Sequence, residues 1–477
     1  MGLWGLLAAV LATLVLLTIT PRVWPTTDGR GAALREALTM LEHGEPMLVG
    51  RYHGASGAYY ELKRGDDQGM YVYLPLASRI LDIRDPLVAY RYMYIVLLAL
   101  TVAVYPLVFY LLSDSLPAGV AAPIVFVACM ISMGFLDLYW VPAWGVLTLL
   151  PLLFLLAQRW PRFGLLGLLG ICLGASVLST IRSDSGLGIA LAAAIVLLWR
   201  RPPWWRLLPA LALLALAYIA IGTFVFGAIR ANRDHRLGPA TAAVVKVTAA
   251  HTLWHTAYAG IGYLPNRYGM RFTDSVAYEY VKRTAPGTVF LSSRYETIVR
   301  KAYLGFIGAH PVEAARQYAA KLLVIVADTI PYLLIAALTL PAALLLSGER
   351  RLVRRLSLLS IPAIFVATVP VAMALPTETY EQGLYGAIGA IDVVGVCWAI
   401  KLLTAAASRH GGVRPLLASV HTPAGGFLHG RTAAWQVVRI TAALVAALLI
   451  LGYAGSLVRR DATRWQGTRP DVLMERV

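Results

Sequence analysis

The chain opens with an apolar run, LWGLLAAVLATLVLLTIT (3–20), and the stretch WPTTDGRG (24–31) follows at once. The run is long enough to cross a membrane as a helix, which takes roughly 20 apolar residues. A secretory signal peptide has a basic segment before its apolar run, and residues 1–20 contain no Lys or Arg. We therefore expect a retained first span, with an aspartate, Asp28, placed directly after it.

The composition is typical of a polytopic membrane protein. Of the 477 residues, 58% are hydrophobic and 14% are charged, and the mean hydropathy is +0.67, whereas a soluble domain carries about 25% charged residues. On a soluble protein the net charge of +17 would suggest nucleic acid. Here many arginines lie in short loops between apolar runs, and no phosphate-binding loop or RNA-binding motif is present, so we predict no nucleic-acid partner.

The three cysteines, Cys129, Cys172 and Cys397, lie inside apolar runs. Their placement predicts small buried side chains, because no disulfide framework or CxxC metal site can be read from their spacing.

Eleven apolar segments are candidates for membrane spans. We predict an all-α polytopic protein with about 11 transmembrane helices and two extracytoplasmic helical loop regions. The predicted domains are an N-terminal transmembrane module (1–228) that includes the first loop region (21–91), a second loop region (229–320), and C-terminal transmembrane helices with a tail (321–477). The spans lie near 3–20, 92–113, 117–136, 141–157, 164–181, 187–199, 207–228, 322–347, 357–375, 385–405 and 436–456.

Arginines in the short loops predict the orientation, because cytoplasmic loops carry an excess of Lys and Arg. With the N-terminus in the cytoplasm, four of five cytoplasmic loops are basic, and the short loops on the opposite side are acidic or mixed. The protein is then a multi-pass protein of the inner or plasma membrane. Its C-terminal tail, which contains Arg459, Arg460 and Arg464, then lies on the extracytoplasmic side. This placement runs against the excess of Lys and Arg expected on the cytoplasmic side.

Both loop regions contain helical patterns. Asp28 follows two threonines and resembles a helix N-cap, and apolar residues recur at helical spacing over 32–41. Gly44 predicts the end of this helix, which we expect to lie along the membrane surface. In the second region, helices are predicted at about 274–285 and 292–308.

The predicted topology gathers carboxylates on the extracytoplasmic face. A carboxylate facing a partly dry cavity can have a raised pKa and act as a general base, and a nearby arginine can hold a phosphate. Several of these acids also have a structural alternative: Asp28 and Asp137 as helix caps, Asp184 as the partner of Arg182, and Asp66 and Asp67 as a solvated turn beside Lys63 and Arg64. The acids are Asp28, Asp66, Asp67, Asp137, Asp184, Glu378 and Glu381, and the candidate phosphate ligands are Arg182, Arg230 and Arg233.

Two further acids, Asp328 and Asp392, lie within or near spans. Because a charge in the membrane is costly, such residues line a cavity or pair with a neighbour. The structural alternative is burial against an arginine or a tyrosine.

His251 and His255 stand four residues apart and would face one side of a helix, as zinc ligands do. The glutamate of the HExxH motif is missing and no third ligand is apparent, so we favour an interfacial or sugar-stacking patch with the neighbouring aromatic residues.

The order of elements resembles the GT-C superfamily of integral membrane glycosyltransferases, in outline the bacterial family that includes the lipid A aminoarabinose transferase, and the protein O-mannosyltransferases. The resemblance covers about residues 1–185. It rests on a first span followed by an acid and a surface helix, and on a small-residue fifth span that ends in an arginine and an acid. The matching residues are Asp28, Ala32–Leu41, Gly44-Glu45-Pro46, Gln68–Leu76, Asp137, Gly170–Asp184 and His310-Pro311. The chain departs from the family pattern at two places. Gly29 stands where the family has Glu, and the family's Lys-Pro-Pro-Leu is replaced by Tyr-Leu-Pro-Leu, which begins at Tyr73.

The resemblance implies a sugar transfer from a polyprenyl-phosphate donor to an acceptor on a glycan, lipid or protein. By resemblance, Asp28 is the general base of a single inverting displacement and Asp137 orients the acceptor or tunes Asp28. No nucleotide or other cofactor is implied, and without a convincing DxD motif we expect no divalent metal. The predicted substrate-binding residues are Arg182, Asp184, Lys63, Arg230, Tyr73, His251 and His255.

Three other functions remain open. A transporter for a lipid-linked sugar would show inverted repeats and broken helices at the midplane, and no repeat is visible. A glycan ligase or polymerase shares the donor class but not the acid after the first span. A non-catalytic scaffold would account for the missing Glu after Asp28.

Overall fold

The computed structural model describes residues 2–23, 29–51, 59–62, 68–132, 140–160, 164–244, 253–273, 275–290, 292–374, 376, 378–409 and 428–466. The first half comprises α1 (Gly2–Val23), α2 (Gly29–Glu42), β1 (Val49–Arg51), β2 (Tyr59–Glu61), α3 (Gln68–Ile80), α4 (Pro86–Ser113), α5 (Leu116–Ser132), α6 (Trp140–Gln158), α7 (Gly164–Ile181), α8 (Ser183–Trp199), α9 (Trp204–Ala220), a π-helical turn (Ile221–Val225) and α10 (Phe226–Val244). The second half comprises α11 (Leu253–Gly260), α12 (Ser275–Thr284), α13 (Ser293–Ala309), α14 (Pro311–Leu346), α15 (Arg350–Leu359), α16 (Ile361–Met373), α17 (Glu378–Arg409) and α18 (Leu428–Gln466).

The chain is a helical, multi-pass membrane protein. In its described part, eight helices are long and apolar enough to cross a membrane, and three further apolar helices are shorter. The shorter ones, Gly2–Leu14, Leu116–Ile131 and Ser185–Trp199, correspond to the first, third and sixth predicted spans. The helical, polytopic fold class is confirmed, and the number of eleven spans stays a prediction.

The short basic connections meet at one end of the helix bundle. Arg159 donates a hydrogen bond to the Leu111 carbonyl at 2.7 Å, and Arg200 donates to the Ala157 carbonyl at 2.6 Å. The Lys401 ammonium lies 2.8 Å from the Glu349 carboxylate. Cys397, four residues before Lys401 on α17, donates to the Ala118 carbonyl at the start of α5. The start of α5 and the Glu349–Lys401 pair therefore lie at the same end of the bundle. We call this the basic end, defined by Arg159, Arg200, Glu349 and Lys401.

The first loop region covers the opposite end. The predicted helix is confirmed as α2, and Gly44 follows it with φ +75°, a backbone conformation that glycine adopts without strain. Leu34, Ala37 and Leu38 are buried against the hairpin, α3 and α4. Protein contacts therefore cover the apolar face of the helix that we expected to lie along the membrane.

The purely helical description of the loop regions was wrong at one place. Strands β1 and β2 form an antiparallel hairpin in which Gly50 pairs with Tyr60. The Glu36 carboxylate on α2 accepts a hydrogen bond from the Arg51 amide at 2.8 Å and another from the Tyr60 hydroxyl. Three-residue strands are too short to give a period-2 pattern in a sequence, so the hairpin could not be seen there.

The second loop region is also helical, and its two predicted helices are confirmed as α12 and α13. The buried Tyr295 ring lies in the hydrophobic core formed by α11, α12 and α13. The Leu264 amide donates to Gln317 Oε1 at 2.7 Å, which fixes this core to α14. We call the end of the bundle that holds the described residues of 29–80 and 253–309 the capped end.

Two helices extend beyond the predicted spans into the second loop region. The seventh span continues through the π-helical turn and α10 as far as Gly238, where φ is +80°. Helix α14 begins at Pro311, a residue favoured in the first turn of a helix. Arg230, Arg233 and Arg236 therefore stand on a rigid helical extension of a span.

Candidate functional site

Helix α3 meets the end of α7 at the capped end. The Tyr73 hydroxyl lies 2.8 Å from Thr180 Oγ1. A Cβ atom at Gly69 would lie only 2.8 Å from the Thr180 carbonyl oxygen, so glycine is what lets the two helices approach this closely. Arg182 follows two residues later and is half-buried at the N-terminus of α8.

The Tyr73 side chain is a hydrogen-bonding group held in an apolar setting. Burial raises the pKa of its phenol, because the phenolate would be poorly solvated there. The Phe226 ring packs edge-on against Tyr73, with 5.9 Å between ring centroids, and so joins α3 to α10. The hydroxyl stays protonated at physiological pH and can donate a hydrogen bond.

Arg230 lies one turn beyond Phe226 and is half-buried. Its Nη1 donates to Gln68 Oε1 at 3.4 Å and its Nη2 donates to the Gly222 carbonyl at 2.9 Å. Gly222 belongs to the π-helical turn, a feature that is frequent at functional sites. A guanidinium has five N–H groups, so these two bonds leave donors for an anion.

We call Gln68, Tyr73, Thr180, Arg182 and Arg230 the α3–α7 patch, because hydrogen bonds join Tyr73 to Thr180 and Gln68 to Arg230 and Arg182 follows Thr180 in the chain. Three of the predicted substrate-binding residues, Arg182, Arg230 and Tyr73, belong to it. Hydrogen-bond donors of this kind, set beside apolar helices, suit the phosphate of a lipid.

Two other arginines of α10 hold the hairpin in place. Arg233 pairs with Glu61, and both side chains are 5% exposed; its Nε also donates to Asp234 at 2.8 Å. Arg236 forms a bidentate bond with Glu45 at 2.6 and 2.7 Å, which lowers the pKa of the Glu45 carboxyl, and a hydrogen bond from Tyr59 lowers it further. Arg233, a candidate phosphate ligand, is therefore engaged in a buried ion pair.

A second polar cluster lies at the same end, between α14, α16, α17 and α18. Lys321 is fully buried and its ammonium donates to the Met373 carbonyl at 3.1 Å. Glu381 is also fully buried, and it accepts a hydrogen bond from Tyr385. Asp328 forms an ion pair with Arg459, which is the structural alternative considered for this acid.

The two clusters border one junction. A Cβ at Gly383 would lie 3.3 Å from Ser185 Oγ, so the start of α8 touches the start of α17. Arg182 stands three residues before Ser185, and Glu381 stands two residues before Gly383. The junction therefore links a residue of the α3–α7 patch to the buried Glu381.

The proposed catalytic residues, Asp28 and Asp137, lie outside the described residues, as do Lys63, His251 and the side chain of Asp184. The helices next to them are described: α2 begins at Gly29 and α6 begins at Trp140, both at the capped end. The roles of these residues stay predictions.

His255 lies in the hydrophobic core of the second loop region. It is 2% exposed, its Nδ1 lies 2.8 Å from the Tyr295 hydroxyl, and its ring packs against Phe290. These contacts give His255 a role in packing, and its role in substrate binding stays a prediction. Within the part of the chain that the structure describes, no group of three or more His, Cys, Asp or Glu side chains could hold a metal ion.

Some residues of the site were not identified from the sequence. In the sequence, Gln68 stands out only as part of a motif, and its contact with Arg230 spans 162 positions of the chain. Lys321 stands at the edge of an apolar run, and a lysine at that position was a usable indication of a buried polar site. The Glu61–Arg233 pair had no local pattern that could reveal it.

The chain matches no protein-family model, and no curated protein matches its sequence.

Proposed function

We propose that the protein is a membrane glycosyltransferase that moves a sugar from a polyprenyl-phosphate donor to an acceptor hydroxyl. In this proposal all eleven apolar helices cross an inner or plasma membrane, and the capped end is extracytoplasmic. The observation that carries it is the α3–α7 patch: Arg230 and Tyr73 stand beside the end of a span, at the level where the phosphate of an isoprenoid lipid would lie.

The leaving group determines what the patch has to do. As the sugar departs, negative charge grows on the bridging oxygen of the polyprenyl phosphate, and a fixed cation stabilises it. Arg182 and Arg230 supply that charge, with Lys63 as a further cation, and the Tyr73 hydroxyl donates a hydrogen bond. Hydrogen bonds to charged groups are the stronger ones, so these side chains favour the transition state.

The acceptor side requires a base. The acceptor oxygen attacks the anomeric carbon, the bond from that carbon to the phosphate oxygen breaks, and the acceptor proton passes to the Asp28 carboxylate. One displacement inverts the configuration and needs no covalent sugar intermediate. Asp137 orients the acceptor or tunes Asp28, and Asp184, His251 and His255 contribute to the acceptor surface.

The test is sugar transfer by purified protein in detergent, from a panel of synthetic polyprenyl-phosphate sugars to cell-envelope lipids and glycans. A general base contributes about 10²- to 10⁴-fold to the rate, so Asp28→Asn should lower transfer by roughly 100-fold or more. Glu42→Gln, at an exposed position of α2, the helix that follows Asp28 in the sequence, is the matched control and should keep full activity. A folded Asp28→Asn protein with wild-type activity would show that the base is another group.

The roles of Arg182 and Arg230 are tested by comparing KM for the donor with KM for the acceptor. Arg230→Gln and Arg182→Ala should raise KM for the donor by about tenfold, the loss of one charge-assisted hydrogen bond, and leave KM for the acceptor nearly unchanged. Arg294→Gln, an exposed arginine on α13 at the same end, should change neither. Equal effects on donor and acceptor would count against a phosphate-binding role.

One observation favours the transporter as a second candidate. Asp392 lies within the α17 span and is fully buried, and ionisable groups inside a bundle often mark an ion or substrate pathway. Transfer in detergent distinguishes the two functions, because transport needs a sealed compartment and group transfer does not. Activity only in sealed proteoliposomes would favour the transporter.

A further inference from the structure

Helix α15 packs against α6 and α8 at the basic end. Val353, Leu356 and Leu359 are buried in the hydrophobic core of the bundle. Since these residues occupy one side of the helix, the basic residues of α15 are left at the surface. The exposed ones are Arg350, Arg351, Arg354 and Arg355.

The connection between α8 and α9 adds three exposed arginines, Arg200, Arg201 and Arg206, at the same end. Neither segment contains an acidic residue: 197–206 reads LLWRRPPWWR and 350–359 reads RRLVRRLSLL. Two acids at this end, Asp114 and Glu349, are engaged by Arg159 and Lys401. Within the described part of the chain, no carboxylate forms an ion pair with any of these seven arginines. Their positive charge is therefore uncompensated.

Two of the seven, Arg200 and Arg355, lie close together although they repel each other. Arg200 donates to the Ala157 carbonyl at 2.6 Å, and its guanidinium lies 5.1 Å from the centroid of the Trp160 ring. The Arg355 guanidinium lies 6.0 Å from the centroid of the Trp199 ring, next to Arg200 in the chain. Partial burial lowers the pKa of Arg200, and the nearby Arg355 lowers it further, yet a guanidinium keeps its charge. An anion between the two groups would relieve this repulsion.

Exposed tryptophans indicate that this surface lies at the level of the lipid head groups. Trp199, Trp204 and Trp205 are exposed and flank the arginines of the α8–α9 connection, and tryptophan is enriched where a membrane meets water. Leu198 and Leu358 are exposed on the same elements and offer an apolar surface to acyl chains. A lipid phosphate is held at this depth, whereas a dissolved anion is not.

We propose that Arg200 and Arg355 bind the phosphate of an anionic phospholipid from the leaflet at the basic end. A guanidinium has five N–H groups, so Arg200 keeps donors for the phosphate beside its bond to α6. The other arginines attract the net negative charge of the lipid, as basic pockets between membrane helices do. This site does not depend on the proposed transferase activity, because it lies at the opposite end of the bundle from the α3–α7 patch.

The test is native mass spectrometry of the purified full chain, titrated with phosphatidylglycerol or with phosphatidylcholine. The wild type should bind one phosphatidylglycerol about tenfold more tightly than phosphatidylcholine, whose choline group the arginines repel. Arg355→Gln should weaken binding of phosphatidylglycerol by about tenfold, the loss of one charge-assisted hydrogen bond. Because Arg355 is exposed, this variant should keep the unfolding temperature of the wild type in detergent.

Arg439→Gln on α18 is the matched control. Arg439 is exposed and lies about 30 Å along α18 from Arg459, so it stands at the level of the basic end on another helix. It should bind phosphatidylglycerol as the wild type does. Equal weakening in Arg355→Gln and Arg439→Gln would show that any arginine of this leaflet attracts the lipid, and it would overturn the proposed site.

Two further outcomes would overturn the proposal. One is unchanged binding of phosphatidylglycerol in Arg355→Gln. The other is displacement of the lipid by an equal concentration of glycerol 3-phosphate, which carries a phosphate without acyl chains and would make a dissolved anion the occupant.

Discussion

At the scale of single residues, Gly69 sets the distance between α3 and α7. An added methyl group would meet Thr180 at 2.8 Å and Ile181 at 2.9 Å, so Gly69→Ala must push the helices apart. Overpacking of this kind costs about 1–3 kcal/mol, and we expect a lower unfolding temperature in detergent. Gly170→Ala in α7 is the control: no atom lies within 4 Å of the added methyl group, so helix propensity should leave stability equal or slightly higher. Equal losses in both variants would contradict the close approach.

The same scale shows what a sequence can predict about a site. Tyr73, Arg182 and Arg230 could be predicted as candidates because their chemistry and their position near the ends of spans are local properties. Their partners could not, because Gln68 and Thr180 reach them across 162 and 107 positions of the chain. The burial of His255 depends in the same way on Tyr295, which lies on another helix.

At the scale of elements, two ion pairs hold the hairpin on α10, and they should differ in strength. Removing one partner of a buried pair costs about 3–5 kcal/mol, whereas exposed pairs contribute about 0–1 kcal/mol. Glu61→Gln, in the pair that is 5% exposed, should therefore speed amide exchange at Tyr60 and Leu62 by about 100-fold. Glu45→Gln, in the pair whose arginine is 41% exposed, should change it by less than about tenfold. If Glu45→Gln speeds amide exchange more than Glu61→Gln does, burial does not determine which of the two ion pairs is the stronger.

The elements themselves were predictable where their pattern was long. Helices α2, α12 and α13 follow from apolar spacing at a helical period, and the ends of the spans follow from charged loops. The extension of the seventh span into α10 was missed because Arg230 and Arg233 look like the end of a membrane segment. A helix that leaves the membrane keeps its backbone hydrogen bonds, so polar residues do not end it.

At the scale of the whole molecule, short-loop arginines and long-range contacts agree about which helix ends belong together. The basic end gathers Arg159, Arg200 and Lys401, as the positive-inside bias predicts. The C-terminal end of α18 lies at the other end, because Arg459 pairs with Asp328 and Ala462 lies in a hydrophobic cluster with Tyr263. The placement of that tail on the extracytoplasmic side, against the charge rule, stays a prediction.

This arrangement predicts which positions a membrane-impermeant maleimide reaches in intact cells. The native cysteines are buried, so single cysteines introduced at exposed positions report their own side. Glu42→Cys and Arg460→Cys should both be labelled from outside, and Arg201→Cys, next to Arg200 at the basic end, only after permeabilisation. Labelling of Arg460→Cys together with Arg201→Cys would contradict the contact between α18 and α14. If Arg201→Cys alone were labelled in intact cells, the bundle would be inverted, and the α3–α7 patch would face the cytoplasm, away from an extracytoplasmic donor.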